Sequence, residues 1–321
     1  MSSYRAPAWL PGGHLQTIYA ALFAPRARIA FTRERWDTPD GDFIELDWTP
    51  GNDQNAQPLV ALFHGLEGSS SSPYASALMQ ATQARGWRGV VVHFRGCGGE
   101  SNRLRRAYHS GDSAEIDWIL RRLKTRASSL CAAGVSLGGN ALLKWLGEQR
   151  SQARSIVNAA AAVSAPVDLM TSGDALGRGF NRVYTRHFLR TMRRKTLAKL
   201  ERFPDLCDSR RMLAAASLRD FDDLVTAPLH GYRDTDDYWT RASAKPLLRD
   251  IAVPTLMINA RNDPFLPAEA LPRAHELSPA VTVEFPAAGG HVGFVTGPFP
   301  GNLEWLPQRI LNFFQNNVIT P

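Results

Sequence analysis

The 321-residue sequence is poor in cysteine and lacks the short motifs that commonly bind metals or nucleotide phosphates. Its three cysteines, Cys97, Cys131 and Cys207, are widely spaced, and no CxxC pair occurs. This pattern argues against a disulfide framework and a cysteine zinc site, and it fits a reducing compartment. No HExxH occurs, and the glycines between Gly134 and Gly139 lack the Lys-Ser/Thr of a P-loop. We therefore expect no metal and no cofactor.

Long apolar runs are also missing. No uninterrupted apolar stretch reaches the roughly 20 residues that a membrane-spanning helix needs. The N-terminal stretch MSSYRAPAWLPGGHLQ lacks the apolar core of a secretory signal peptide. We therefore expect a cytoplasmic protein.

Lysine is scarce, but basic charge is not. Five lysines stand beside 32 arginines, and the formal net charge is +7. An excess of basic residues can bind nucleic acids or anionic membranes. These arginines, however, are spread widely along the chain, and no nucleic-acid-binding motif accompanies them. We expect no nucleic-acid partner. The hydrophobic fraction of 44% and charged fraction of 21% are those of an ordinary globular protein.

Strand-like and helix-like segments alternate along the chain. A hairpin of RERWDT and DFIELDWT around a PDG turn comes first. The strand-like segments that follow are PLVALFHG, WRGVVVHFRG, SSLCAAGVS, SIVNAAAAVSA, VPTLMINAR and VTVEFPA. The helix-like segments are SPYASALMQATQARG, SAEIDWILRRLKTR, GGNALLKWLGEQR, PAEALPRAHEL and NLEWLPQRILNFFQ. This alternation predicts an α/β protein with a mostly parallel sheet, made mixed by the hairpin, and helices on both faces.

The alternation of strand-like and helix-like segments stops between Val167 and Lys245. This stretch contains the helix-like FNRVYTRHFLRTMRRKTLAKLERF and a more irregular part. It predicts a mainly helical insertion between two strands of one sheet. The predicted organisation is a core of residues 1–166 and 246–321 with residues 167–245 inserted.

Ser136 lies in the motif GVSLG, between Gly134 and Gly138. A buried strand precedes it and a helix follows, which is the context of a nucleophilic serine on a sharp turn. In parallel sheets, ligands bind beyond the carboxyl ends of the strands, and Ser136 lies at such an end. The alternative is an ordinary glycine-rich loop.

A nucleophilic serine needs a histidine base, and on this topology the histidine comes last in the chain. His291 follows the last strand in the glycine-rich loop AAGGHVGF, on the same rim as Ser136. His187 and His230 fall in the insertion, and His275 lies in a helix-like segment. We therefore predict His291 as the base. A loop histidine that packs locally is the alternative.

The base needs a carboxylate to orient it. Asp263 follows the strand VPTLMINA and precedes His291, so we predict it as the acid, against the alternative of a turn or helix-cap aspartate. Asp250 precedes that strand and belongs to the other rim, and Glu269 lies in a helix-like segment.

Acyl transfer also needs an oxyanion hole. We predict the backbone N–H groups of Leu137, after the serine, and of Leu66, in the loop HGLEGSSSSPY. His64, in the same loop, comes before the serine and is predicted to be structural. Cys97 also follows a strand, but a structural role is favoured for it too.

Several of these blocks together resemble the YheT-like branch of the α/β hydrolases. They are PGGHLQTIYAAL, DGDF, HGLEGSSSSPY, FRGCGGESNRLRRAYHSGD, GVSLGGNALLKWLGE, NARNDPF and GGHVGF, which extend over nearly the whole chain. The resemblance implies an α/β hydrolase core with a helical cap. It also implies a triad of Ser136, Asp263 and His291 and cofactor-free hydrolysis of carboxylic esters.

The predicted function is a serine esterase that acts on small-molecule or lipid esters through an acyl-enzyme. An acyltransferase with the same acyl-enzyme and a non-catalytic binding protein are the alternatives. The basic run Arg190, Arg193, Arg194, Lys195 and Lys199 could contact an anionic membrane or form a solvated helix face.

Overall fold

Eight strands form one sheet in the computed structural model, which describes residues 4–51 and 57–318. The strands are β1 Thr32–Asp37, β2 Phe43–Trp48, β3 Leu59–Phe63, β4 Arg88–His93, β5 Leu130–Val135, β6 Ala159–Val163, β7 Thr255–Ile258 and β8 Val281–Glu284. Their spatial order is β1-β2-β4-β3-β5-β6-β7-β8. The hairpin strands β1 and β2 pair antiparallel with each other, as do β2 and β4, and every pair from β4 to β8 is parallel.

Helices cover both faces of this sheet. They are α1 Gly13–Leu22, α2 Pro73–Ala84, α3 Ser113–Lys124, α4 Leu137–Gln149, α5 Leu169–Leu176, α6 Arg182–Leu200, α7 Ser209–Ala214, α8 Leu218–Phe221, α9 Ala227–Leu229, α10 Thr235–Ala242 and α11 Trp305–Val318. One apolar core packs α3 and α4 against the sheet, and a second packs α2 and α11 against the opposite face. Central strands β3 to β6 are buried along their whole length, which explains their unbroken apolar runs.

The predicted α/β class and the predicted hairpin are confirmed, and SIVNAAAAVSA contributes the strand β6. The predicted helix at PAEALPRAHEL is wrong. Only two single 3₁₀ turns form there, at Ala268–Ala270 and Ala274–Glu276. Pro267 and Pro272 interrupt the segment, and a proline inside a helix removes a backbone donor and clashes with the preceding turn.

The N-terminal segment holds a helix that is absent from the helix-like segments predicted above. Helix α1 begins after Gly12 and buries Gln16, Thr17 and Ala20. Leu15, Ile18, Tyr19 and Leu22 recur at helical spacing and were the available signal. This helix is important because it supports the candidate site.

Between β6 and β7 the chain forms helices α5 to α10, which pack into two small apolar clusters of their own. We call residues 167–245 the cap. The division into a core and a cap stays a prediction, and the ends of the predicted core at residues 1 and 321 lie outside the described residues. Across residues 4–51 and 57–318, no helix combines the length and apolarity required to span a bilayer.

Candidate active site

Ser136 lies on a tight turn between β5 and α4. Its φ of 52° is in the left-handed region that residues with side chains rarely adopt. A Cβ added to Gly138 would lie 2.5 Å from the carbonyl oxygens of Phe63 and His64, at the end of β3. The motif therefore needs glycine at this position because the helix starts directly against the neighbouring strand.

The three side chains predicted to act together do meet. His291 Nε2 lies 3.0 Å from Ser136 Oγ, and His291 Nδ1 lies 2.9 Å from Asp263 Oδ2. With the carboxylate as acceptor, Nδ1 carries the ring proton and Nε2 is left to accept the serine proton. Asp263 has a fully buried side chain, and its other oxygen accepts the Phe265 N–H at 2.8 Å. These contacts fix the orientation of the imidazole.

Helix α1 holds the loop that carries His291. Thr17 Oγ1 accepts the His291 N–H at 2.8 Å, and Gln16 Oε1 accepts the Gly289 N–H at 2.8 Å. Ser164, at the end of β6, accepts the Val292 N–H at 3.1 Å. None of these three supporting residues is predicted from the sequence, since hydroxyl and amide side chains so far away in the chain leave no local pattern.

The two predicted oxyanion donors line one cavity with Ser136. In the described part of the chain, the N–H groups of Leu66 and Leu137 have no hydrogen-bond acceptor. Their neighbours are fixed, because the Gly65 N–H donates to Tyr74 Oη and the Glu67 N–H to Tyr108 Oη, both at 2.9 Å. Two unpaired donors beside a nucleophile can stabilise a developing negative charge.

His64 is a structural part of the same loop. Its Nδ1 donates to the Gly65 carbonyl at 2.8 Å, and its Nε2 accepts the Phe94 N–H at 3.1 Å. Both ring nitrogens are thus used in the neutral form. Complete burial lowers the pKa of His64 to about 3, so the ring is neutral at ordinary pH.

Cys97 contacts Lys195, which among the described residues is the only cap lysine that reaches residues 64–74, the loop that we call the oxyanion loop. Lys195 Nζ donates to Glu67 Oε1 at 2.9 Å and to Cys97 Sγ at 3.2 Å. Burial raises the pKa of the Cys97 thiol to about 11, which keeps it protonated. A protonated thiol is a poor nucleophile, in keeping with the structural role predicted for Cys97.

A cavity of about 490 Å³ extends from Ser136 into the cap. Its walls are mostly apolar, with Leu169, Phe188, Val225 and Trp239 from the cap and Phe265 from the core. Phe265 stacks on the His291 ring with centroids 4.1 Å apart. The volume is in the range of small-molecule sites. No group of three or more His, Cys, Asp or Glu side chains within residues 4–51 and 57–318 is arranged to hold a metal ion.

Comparison with known proteins shows the family to which this fold and this site belong. A family model for the alpha/beta hydrolase fold matches residues 58–298, which is most of the chain. A solved structure of the esterase Pf2001 from Pyrococcus furiosus superposes with a TM-score of 0.55, covering 92% of this chain and 99% of the other at 15% identity. The chain belongs to the α/β hydrolase family.

Sequence identity to two individual proteins is higher than to this solved structure. The chain is 41% identical over 303 residues to the protein named "Putative esterase YheT" of Escherichia coli (strain K12), covering 92% of this chain and 88% of that protein. It is 29% identical to "Phospholipase ABHD3" of Mus musculus, covering 98% of this chain and 79% of that protein. The resemblance to the YheT-like branch is therefore confirmed.

Proposed function

We propose that this enzyme, a carboxylic ester hydrolase, works through an acyl-enzyme on Ser136. The relatives described above carry the names of a putative esterase and a phospholipase, and both names denote ester-cleaving enzymes. The observation that carries the proposal is the continuous hydrogen-bonded series from Ser136 Oγ through His291 to Asp263 at a strand-to-helix turn. Small-molecule or lipid esters are the substrate class.

The reaction begins when Ser136 Oγ attacks the ester carbonyl carbon. His291 Nε2 takes the hydroxyl proton and then gives it to the leaving alcohol. Asp263 stabilises the imidazolium that forms between these two steps. The Leu66 and Leu137 N–H groups receive the negative charge on the carbonyl oxygen.

Water completes the cycle. His291 removes a proton from the water, which attacks the acyl carbon, and the bond to Ser136 Oγ breaks as the serine regains its proton. The products are the free acid and the enzyme as it began. The cavity that extends from Ser136 into the cap would hold the acyl chain, since its walls are mostly apolar.

Replacement of the nucleophile tests this proposal. We expect Ser136→Ala to lower the turnover of a p-nitrophenyl ester by about 10⁴-fold or more, because the triad acts as one unit. Ser151→Ala, an exposed serine after α4, is the matched control and should keep full activity. Circular dichroism checks that both variants are folded. Undiminished turnover in folded Ser136→Ala would reject the proposal.

A further inference from the structure

Exposed apolar side chains are concentrated on one part of the surface. The described residues include eight large apolar side chains that are strongly exposed, and six of them lie on or next to α1 and the start of α6. They are Leu15, Leu22, Phe23, Phe180, Val183 and Phe299, with exposed fractions from 49% to 73%. A concentration of this kind marks an interaction site more often than scattered exposed residues do.

Ring contacts connect these side chains across the boundary between core and cap. His14 packs against Phe180 with ring centroids 4.7 Å apart, and its Nδ1 lies 3.1 Å from Tyr184 Oη. On the core side, the Trp9 ring contacts those of Tyr19 and Phe299, with ring centroids 5.0 and 5.5 Å apart. We call the surface formed by residues 13–23, residues 180–194 and Phe299 the apolar–arginine face.

Four arginines extend this face along α6. Arg182, Arg186, Arg190 and Arg194 are all exposed and follow one another at four-residue spacing, so they form a stripe on one side of the helix. No acidic side chain pairs with them in the part of the chain that the structure describes. The sequence contains no Asp or Glu in residues 1–33 or 175–200.

The other basic residues of α6 have structural partners. Lys195 binds Glu67, Lys199 Nζ donates to three carbonyl oxygens of residues 104–106, and Arg193 donates to the Ala215 carbonyl. Of the basic run in the sequence, only Arg190 and Arg194 belong to the outward stripe. The stripe is therefore separate from the contacts that attach the cap.

The face adjoins the candidate active site. Phe188 and Arg194 of α6 line the cavity that begins at Ser136. Tyr184, which contacts His14, also packs on Phe265 with ring centroids 4.7 Å apart, and Phe265 stacks on His291. A molecule that lies against this face is thus next to the wall of the pocket.

We infer that the apolar–arginine face binds the surface of an anionic phospholipid membrane. A bilayer interface takes up exposed aromatic and aliphatic side chains and attracts arginines beside them. Phosphates of a nucleic acid would satisfy the arginines but would leave the six apolar side chains in water. The inference concerns binding alone and does not rest on the proposed catalytic residues.

Vesicle co-sedimentation of the purified full chain tests the inference. Vesicles of phosphatidylcholine alone are compared with vesicles that also contain phosphatidylglycerol, at low and high salt. We expect binding to the anionic vesicles that high salt weakens. The triple variant Arg182→Gln, Arg186→Gln, Arg190→Gln should bind on the order of 100-fold more weakly, since each arginine near an anionic surface contributes about 1 kcal/mol.

The matched control removes the same charge elsewhere. The triple variant Arg150→Gln, Arg154→Gln, Arg249→Gln changes three exposed arginines that lie before the amino ends of β6 and β7, at the edge of the sheet away from Ser136. It should bind as the unchanged protein does. Leu22→Ser, Phe23→Ser should weaken binding without a change in charge. Ser136→Ala should bind normally, which separates this test from that of the proposed function.

Three results would overturn the inference. The first is no binding of the unchanged protein to anionic vesicles. The second is equal binding by the triple variant of Arg182, Arg186 and Arg190 and by its charge-matched control. The third is a stripe-dependent affinity for duplex DNA that exceeds the affinity for vesicles and is indifferent to the Leu22 and Phe23 substitutions.

Discussion

At the scale of single residues, the candidate site depends on the backbone φ angle of its serine and on which ring nitrogen of its histidine carries the proton. Ser136 is held at a positive φ, and Gly138 lets the next helix begin against β3. The sequence could predict Ser136, Asp263 and His291 because each follows a strand in the expected order. It could not predict Gln16 or Thr17, whose contacts to residues 289 and 291 join distant parts of the chain.

His64 gives a prediction about pH at this scale. Its pKa is lowered from 6.5 to about 3 in the folded protein, so between these values the unfolded chain binds one more proton. The free energy of unfolding must therefore fall as the pH falls through this window. From pH 7 to pH 5, His64 should contribute a loss of about 2 kcal/mol.

Urea unfolding at pH 7 and pH 5 measures this effect. His64→Gln is a suitable comparison because glutamine offers a donor and an acceptor but does not titrate. The drop in unfolding free energy between the two pH values should be about 2 kcal/mol smaller in His64→Gln. An equal drop in both proteins would show that His64 is not the source.

At the scale of helices and strands, apolar periodicity predicted most elements, and it failed where prolines or an exposed surface intervened. The helix expected around Pro272 does not form. Helix α6 forms as predicted, but Phe180 and Val183 of its apolar pattern are exposed, and Lys199 is buried instead. A pattern of apolar residues records amphipathicity and does not show which face meets the core.

The contact between α6 and the oxyanion loop leads to a second prediction. Lys195 pairs with Glu67, which follows Leu66 and has a positive φ of 56°. We expect Lys195→Met to lower kcat about ten-fold with little change in KM, because the Leu66 N–H loses part of its fixed position. Steady-state kinetics on a p-nitrophenyl ester measures both constants.

Two variants sharpen this test. Glu67→Gln, Lys195→Met should be little worse than Lys195→Met alone, as expected of residues that act through one contact. Arg190→Met, on the exposed side of the same helix, should leave kcat unchanged. A raised KM with unchanged kcat in Lys195→Met would show instead that Lys195 contacts the substrate.

At the scale of the whole molecule, the sheet brings the ends of β5, β7 and β8 to one rim, and the cap closes a cavity over it. The order of segments predicted this rim, since parallel strands align their carboxyl ends. The shape of the cavity could not be predicted, because it depends on how six cap helices pack on one another.

The cavity predicts a preference for longer acyl chains. Each buried methylene contributes about 0.8 kcal/mol, so kcat/KM should rise up to about four-fold per methylene from p-nitrophenyl acetate to octanoate. Val225→Trp narrows the cavity and should remove this rise while acetate is still hydrolysed. Leu213→Trp, an exposed position on α7, is the control. Equal losses for acetate and octanoate in Val225→Trp would contradict this position for the acyl chain.

The central claim is that Ser136 is the activated nucleophile, and covalent labelling tests it most directly. After treatment with a fluorophosphonate, peptide mass spectrometry should find one adduct, on Ser136, and the rate of labelling should fall sharply in His291→Ala. Labelling that is absent in the folded protein, or that falls on another residue such as Cys97, would contradict the account.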